Sequence, residues 1–234
     1  MKRLFDIVFS TIGLIVLSPI ILVILFLIWI YDLHNPFYMP LRVGKKMKVF
    51  RMYKFRSMVI NADKTGVSST SVADKRITPI GRVIRRYKLD EISQLINVFL
   101  GSMSIVGPRP QVVEHVNNEY TLLEKKLLDV KPGITDISSI VFSNEGDILK
   151  DSKDPDADYN LLIRPWKSRL GLLYVRNNSF SLDVMLIVIT IIAIFNKKLA
   201  LRYVNKLLVK LAAPQDMIDV CRMQTKLVPS MPPQ

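Results

Sequence analysis

Two neighbouring carboxylates stand in Leu89-Asp90-Glu91, and an arginine follows between prolines in Gly107-Pro108-Arg109-Pro110. Adjacent carboxylates repel a phosphate unless a metal ion or cationic side chains neutralise them. Lys54, Arg56, Arg82, Arg85, Arg86, Lys88 and Arg109 all lie near the pair in sequence. A carboxylate can attack phosphorus and form an acyl phosphate. A magnesium ion held by one or two carboxylates and by phosphate oxygens screens the repulsion, and arginine forks hold the remaining oxygens. The set suits metal-assisted chemistry on a phosphate ester. Each acid also has a plainer reading, Asp90 as a helix cap and Glu91 as a complement to the helix dipole. The company of Lys54, Arg56 and Arg109 tips the balance toward chemistry. Gly101 to Gly107 runs into Pro108 rather than Gly-Lys-Ser/Thr, so there is no P-loop to cradle a nucleotide phosphate.

A chain of 234 residues holds one domain of ordinary size plus a membrane element. The net charge of +13 calls for an anionic partner: nucleic acid, anionic lipid or a phosphorylated substrate. Cys221 is the only cysteine, which excludes an intramolecular disulfide and a cysteine-rich zinc site. His34 and His115 are the only histidines and lack metal-ligand spacing.

From Ile7 to Ile30 the chain is almost wholly apolar, about the length of a spanning helix. Trp29, Tyr31 and Asp32 stand where a signal peptide has small residues, which favours an uncleaved anchor. Ser18-Pro19 interrupts the run and predicts a kink. Ser18 can donate its hydroxyl to a nearby carbonyl there. The flanks are basic on both sides, Lys2 and Arg3 before and Arg42, Lys45, Lys46 and Lys48 after. The positive-inside rule places both in the cytoplasm, as in a hairpin that enters one leaflet and returns. A kinked spanning helix is the other topology, and the residues alone leave both open.

Beyond the anchor, residues 36–58 read as short extended pieces with a turn at Val43-Gly44-Lys45, and 61–75 as a polar loop. Thr78-Pro79 is a helix start. Ile80, Val83, Ile84 and Tyr87 give that helix an apolar face, and Ile92, Leu95, Ile96 and Phe99 repeat the spacing in a second helix that Gly101 ends. Asp90 and Glu91 then fall at the junction of the two helices or in the first turn of the second. Leu122–Val130 reads as a short helix, 144–159 as an acidic surface loop and Pro165–Tyr174 as a helix. Leu182–Phe195 is apolar but short for a span, hence a buried or interfacial helix. Lys198, Arg202, Lys206 and Lys210 recur every fourth residue beside Tyr203, Val204, Leu207, Leu208 and Leu211, a basic amphipathic helix suited to anionic lipid. The Pro-rich tail from Val228 reads as disordered.

These stretches, taken together and in order, resemble the bacterial sugar transferases, monotopic polyprenol-phosphate phosphoglycosyltransferases. The resemblance rests on Lys2-Arg3-Leu4-Phe5-Asp6 with Ser18-Pro19, Tyr53-Lys54-Phe55-Arg56-Ser57-Met58, and Leu89-Asp90-Glu91-Ile92-Ser93-Gln94-Leu95 with Asn97. It rests also on Gly101-Ser102-Met103-Ser104-Ile105-Val106-Gly107-Pro108-Arg109-Pro110 and Lys131-Pro132-Gly133-Ile134-Thr135, and more weakly on Tyr174 to Ser179 with Asp183 and Thr190. It covers roughly residues 1 to 200 and implies transfer of a sugar-1-phosphate from a UDP-sugar to undecaprenyl phosphate with release of UMP, initiating a cell-surface glycan. It implies a phosphosugar carried covalently on Asp90, magnesium (Mg2+) held with the help of Glu91, and a re-entrant hairpin broken at Ser18-Pro19. It further implies an α-rich domain with amphipathic helices on the cytoplasmic leaflet. Three positions depart from the family pattern: Ser93 for proline, Ser102 for an acidic residue, and Asp136 for glycine.

The expected architecture is an α-rich α+β fold: a re-entrant hairpin over 1–33, a catalytic domain over 34–198, and a basic amphipathic helix with a disordered tail over 199–234. The expected place is the cytoplasmic face of the bacterial inner membrane. Asp90 and Glu91 are the catalytic and metal-binding residues, and Lys54, Arg56 and Arg109 hold substrate phosphates. A non-enzymatic scaffold on anionic lipid would explain the charge but leaves Asp90-Glu91 and Gly-Pro-Arg-Pro without a purpose. A nucleic-acid binder is disfavoured because no readout motif is present.

Overall fold

The apolar N-terminal segment is one helix, α1 (Lys2–Asp32). The computed structural model describes residues 1–62, 74–150, 152–222 and 227–234. Helical structure continues through Pro19, so the expected break is not a loss of helix. Proline removes one backbone donor, and the Ser18 hydroxyl donates to the Ile15 carbonyl at 2.7 Å. Along much of its length α1 exposes large apolar side chains, among them Ile12, Ile15, Leu22, Val23 and Phe26.

Both ends of α1 are bonded to the rest of the chain. At the start, Lys2 Nζ donates to Asp183 Oδ2 (2.7 Å), the Tyr174 hydroxyl (2.8 Å) and the Val106 carbonyl (2.9 Å). Arg3 donates to the carbonyls of Val98 and Phe99. Buried Asp6 accepts from Ser104 Oγ and Ile105 N, both at 3.0 Å. At the far end, Ile24 and Ile28 pack with Phe55 and Ile84, and Asp32 takes the Arg56 guanidinium.

Short strands follow, as expected: β1 (Phe37–Tyr38), β2 (Leu41–Val43), β3 (Val49–Arg51) and β4 (Lys54–Phe55). Strand β1 pairs antiparallel with β4, Phe37 opposite Phe55. The polar 61–75 stretch falls largely outside the described residues. Helix α2 (Pro79–Arg86) opens on Thr78, whose side chain accepts from Gly81 N at 2.9 Å. A 3₁₀ turn (Leu89–Gln94) leads into α3 (Leu95–Leu100), which Gly101 ends at φ 89°. The expected apolar faces are only half right. Ile84 is buried, but Val83, Tyr87 and Phe99 are exposed. The 3₁₀ turn advances the register by three residues per turn, so Ser93, Gln94, Asn97 and Val98 face inward instead.

Strand β5 (Ser104–Val106) comes next, then β6 (Gln111–Val112), which pairs with β2. Helices α4 (Val113–Asn118) and α5 (Leu122–Lys125) precede β7 (Gly133–Thr135), which runs parallel to β5. The β5–β7 approach requires two glycines. A Cβ on Gly107 would lie 2.3 Å from the Lys131 carbonyl oxygen, and one on Gly133 would lie 2.1 Å from Gly107 N.

The remaining helices are α6 (Ile137–Val141), α7 (Glu145–Ile148), α8 (Pro155–Asp158), α9 (Arg164–Arg176), α10 (Phe180–Phe195), α11 (Lys197–Lys210) and α12 (Gln215–Arg222). The 144–159 stretch thus folds into helical turns where a loop is expected. The main core joins Val141, Leu170, Leu186, Val204, Leu208 and Cys221. It runs across the expected boundary at 198/199, so α11 and α12 share the core of the preceding helices. Helix α10 exposes Val188, Ile191, Ile194 and Phe195 on its outer side, and α11 exposes its four basic residues with Tyr203 and Val209.

The tail is extended and bonded, not disordered. Ser230 N donates to the Leu161 carbonyl (3.0 Å), Arg169 to Met231 O (3.1 Å) and Thr121 Oγ1 to Pro233 O (2.6 Å). Proline-rich composition gives the tail no helix or strand, yet its carbonyls still find donors.

Fully buried Glu124 ties α5 to α9. It accepts from Arg164 Nη2 (2.8 Å), Ser168 Oγ (2.6 Å) and Thr121 N (3.1 Å). Glu124→Ala strands these donors and should cost about 3 kcal/mol, read as a lowered denaturation midpoint. An unchanged midpoint would remove Glu124 as the fastening between α5 and α9.

Candidate active site

Asp90 and Glu91 sit in the 3₁₀ turn that follows Lys88, whose backbone is left-handed at φ 53°. This is the junction expected from sequence. Buried Ser93, which replaces the family's usual proline, fixes the turn. Its hydroxyl bonds the Asp90 carbonyl (2.9 Å) and the Tyr53 carbonyl (3.0 Å). Buried Asn97 accepts from Tyr53 N and donates to Arg51 O, both at 2.8 Å. These two side chains lock the segment carrying Lys54 against the carboxylate turn.

Lys54 Nζ lies 3.4 Å from Asp90 Oδ2, and Arg109 Nη1 donates to Glu91 Oε1 at 3.0 Å. Residues 54, 90, 91 and 109 are therefore brought together. Arg56 is not. It shares a strand face with Lys54 by period, but β1–β4 pairing ends at Phe55, and Arg56 turns instead to Asp32 Oδ1 (2.7 Å) and the Asn35 carbonyl (2.8 Å). Its guanidinium closes the end of α1 onto β4.

The charges are strongly coupled. Burial, reinforced by Arg109, pulls the Lys54 ammonium below its ordinary range, against the pull of Asp90 and Glu91. Burial works to raise the Glu91 carboxyl, but Arg109 and Lys54 outweigh it and hold it below the usual range. Glu91 keeps Arg109 firmly protonated against burial.

Sequence reasoning missed several neighbours. Glu145 bonds Lys167 and acts on Arg109. Lys167 also lies over the Tyr159 ring, 5.3 Å from its centroid. Arg42 is close enough to Arg109 for the two to repel. No spacing rule links position 145 to 167 or 42 to 109; only the topology brings them near. Asp136, the departure from glycine, is buried and caps α6 through Ser139 N (2.7 Å).

Among the described residues no group of three or more ligating side chains occurs, so the chain by itself offers no complete cage for a cation. Two adjacent, partly exposed carboxylates do fit magnesium. That ion is commonly held by one or two carboxylates and completed by substrate phosphates and water. Each acid has one oxygen engaged by a cation and a second that is free of such a pair.

The profile of the bacterial sugar transferase family matches residues 1–197. The chain is 34% identical over 202 residues to the UDP-glucose:undecaprenyl-phosphate glucose-1-phosphate transferase of Klebsiella pneumoniae, covering 85% of this chain and 41% of that protein. It is 32% identical over 193 residues to the UDP-N-acetylgalactosamine-undecaprenyl-phosphate N-acetylgalactosaminephosphotransferase of Aeromonas hydrophila, covering 81% and 42%. The exopolysaccharide production protein ExoY of Sinorhizobium fredii is 35% identical over 159 residues, covering 62% and 70%. The chain thus spans about two fifths of the length of the first two.

Lys54 is charged only below its lowered pKa. Binding of inorganic pyrophosphate, read by calorimetry across pH, should weaken as pH rises toward, and before it reaches, the ordinary lysine value. Lys54→Arg, which stays protonated, should carry binding to higher pH. A wild-type profile that stays flat past that value would contradict the assignment.

Proposed function

Because the chain belongs to the bacterial sugar transferase family, we propose that it transfers a sugar-1-phosphate from a UDP-sugar to undecaprenyl phosphate, with Asp90 as the nucleophile. The observation that carries this reading is the pairing of Lys54 with Asp90 and of Arg109 with Glu91 in one turn. An Asp90 oxygen attacks the phosphorus that bears the sugar. The bond from that phosphorus to the bridging oxygen breaks, and UMP leaves with the electron pair. The phosphate oxygen of undecaprenyl phosphate then attacks the same phosphorus and releases the Asp90 carboxylate. Lys54 and Arg109 hold the non-bridging oxygens, where a planar fork and a point charge act from two sides. Asp90 and Glu91 would hold magnesium, which neutralises charge on the diphosphate when bound. Buried Ser93 and Asn97 keep the nucleophile and Lys54 in register, so little reorganisation is needed at the moment of attack.

The same reading places the chain on the cytoplasmic face of the inner membrane, with α1 entering one leaflet and returning. What supports it is that both ends of α1 bind one folded body. Lys2 and Asp6 hold α10 and β5, while Asp32 holds Arg56 next to β4. A straight 31-residue helix would be about 46 Å long, and one end would be out of reach of a domain lying on the opposite face. The exposed basic row of α11, Lys198, Arg202, Lys206 and Lys210, suits contact with anionic lipid.

Asp90→Asn should abolish UMP release while the protein stays folded and membrane-bound, because an amide keeps the shape but cannot attack phosphorus. Near wild-type turnover would exclude Asp90 as the nucleophile. Glu91→Gln should lose most activity and need more magnesium, since a neutral ligand binds a hard cation less well.

For topology, a single cysteine placed ahead of Met1 in a Cys221→Ser background should stay unlabelled by a maleimide that cannot cross the inner membrane. It should react once the membrane is opened. Labelling in intact cells would rule out the hairpin.

A further inference from the structure

Behind Arg109 lies a cavity that the reaction above leaves unused. Val43, Leu127, Leu128, Val130, Pro108 and Pro132 form its apolar wall. Most of its charged or polar groups are already engaged. Asp136 is taken by Ser138 and Ser139, Arg164 and Ser168 by Glu124, and Lys167 by Glu145. Four groups remain to recognise a ligand. Gln111 spends its amide N–H on the Arg109 carbonyl (3.3 Å) and keeps its oxygen. His115 uses Nδ1 on Glu119 (3.0 Å) and keeps its other ring nitrogen. Tyr120 and Tyr159 supply aromatic rings and hydroxyls. Arg109 lines the cavity and also bonds Glu91, so it joins this space to the carboxylates.

An apolar slot with aromatic rings and a few convergent polar groups suits a flat heterocycle. A sugar carries hydroxyls around its whole ring and would need more free partners than four. A pyrimidine presents one ring N–H and two carbonyls on its edge, which an amide oxygen and two or three donors satisfy. We propose that this cavity seats the nucleoside half of the donor, its base among Gln111, His115, Tyr120 and Tyr159 and its 5′-phosphate at Arg109. The proposal rests on the nucleotide-sugar reading given above, and adds where the nucleoside lies.

The test measures binding of UMP, inorganic pyrophosphate and glucose-1-phosphate to the full chain in lipid nanodiscs. Gln111→Leu and Tyr159→Leu should each weaken UMP binding about tenfold or more and leave pyrophosphate binding unchanged. Tyr159→Phe, which keeps the ring, should stay within about twofold of wild type. In a second measurement, 5-iodo-UMP irradiated on the wild-type protein should form adducts within residues 111–120 or 159–167, which needs no variant to fold. Adducts elsewhere, or unchanged UMP affinity in both leucine variants, would overturn the proposal while leaving the transferase reading intact. So would loss of glucose-1-phosphate binding alone, which would give the cavity to the sugar. A wild-type protein that binds pyrophosphate but not UMP would overturn the nucleotide-sugar reading itself.

Discussion

Two carboxylates side by side can meet an anionic diphosphate only if their charge is balanced beforehand, and much of this structure serves that balance. Lys54 faces Asp90 and Arg109 faces Glu91, yet these four residues come from separate parts of the chain. The two acids lie in a short 3₁₀ turn and Lys54 on a two-residue strand, neither of which would hold its shape alone. Ser93 and Asn97 are buried polar side chains that bind the segment around Tyr53 to the turn. Arg109 is fixed from the other side, where Gly107 and Gly133 let two strands meet backbone to backbone. A buried, fully satisfied polar network of this kind favours one geometry, because each member left unpaired would cost more than it gains.

The same site is coupled to the membrane segment. Arg56 lies two residues beyond Lys54, and its guanidinium closes on Asp32 at the end of α1. At the other end, Lys2 joins Asp183, Tyr174 and the Val106 carbonyl, one residue before Gly107. The depth at which α1 settles in lipid is therefore transmitted to both sides of the carboxylate turn. A scaffold that only bound lipid would have no use for this connection.

Much of this was legible in the sequence, and the failures have physical causes. Thr78-Pro79, Gly101 and the Ser18 hydroxyl act locally, and each does what its chemistry dictates. The carboxylate turn was legible because its neighbours in sequence are its neighbours in space. Arg56 was misplaced because periodicity gives the face of a strand but not the partner that captures the side chain. Val83 and Tyr87 were misplaced because the helical spacing says nothing of the 3₁₀ turn that follows. Glu145, Lys167 and the cavity behind Arg109 depend on contacts far apart in the chain, for which a single sequence carries no signal. The tail was read from composition, which reports the lack of regular structure but not the carbonyl acceptors it offers to Thr121 and Arg169.

The central claim is that Asp90 carries the phosphosugar. Purified protein incubated with magnesium and the UDP-sugar that supports turnover, with no polyprenol phosphate present, should accumulate a phosphosugar on the peptide that contains Asp90. The adduct, seen by mass spectrometry after acid quench, should be released by hydroxylamine as an acyl phosphate would be, and should disappear when undecaprenyl phosphate is added. An unmodified Asp90 peptide in a protein that turns over once acceptor is supplied, or an adduct on another residue, would contradict the account.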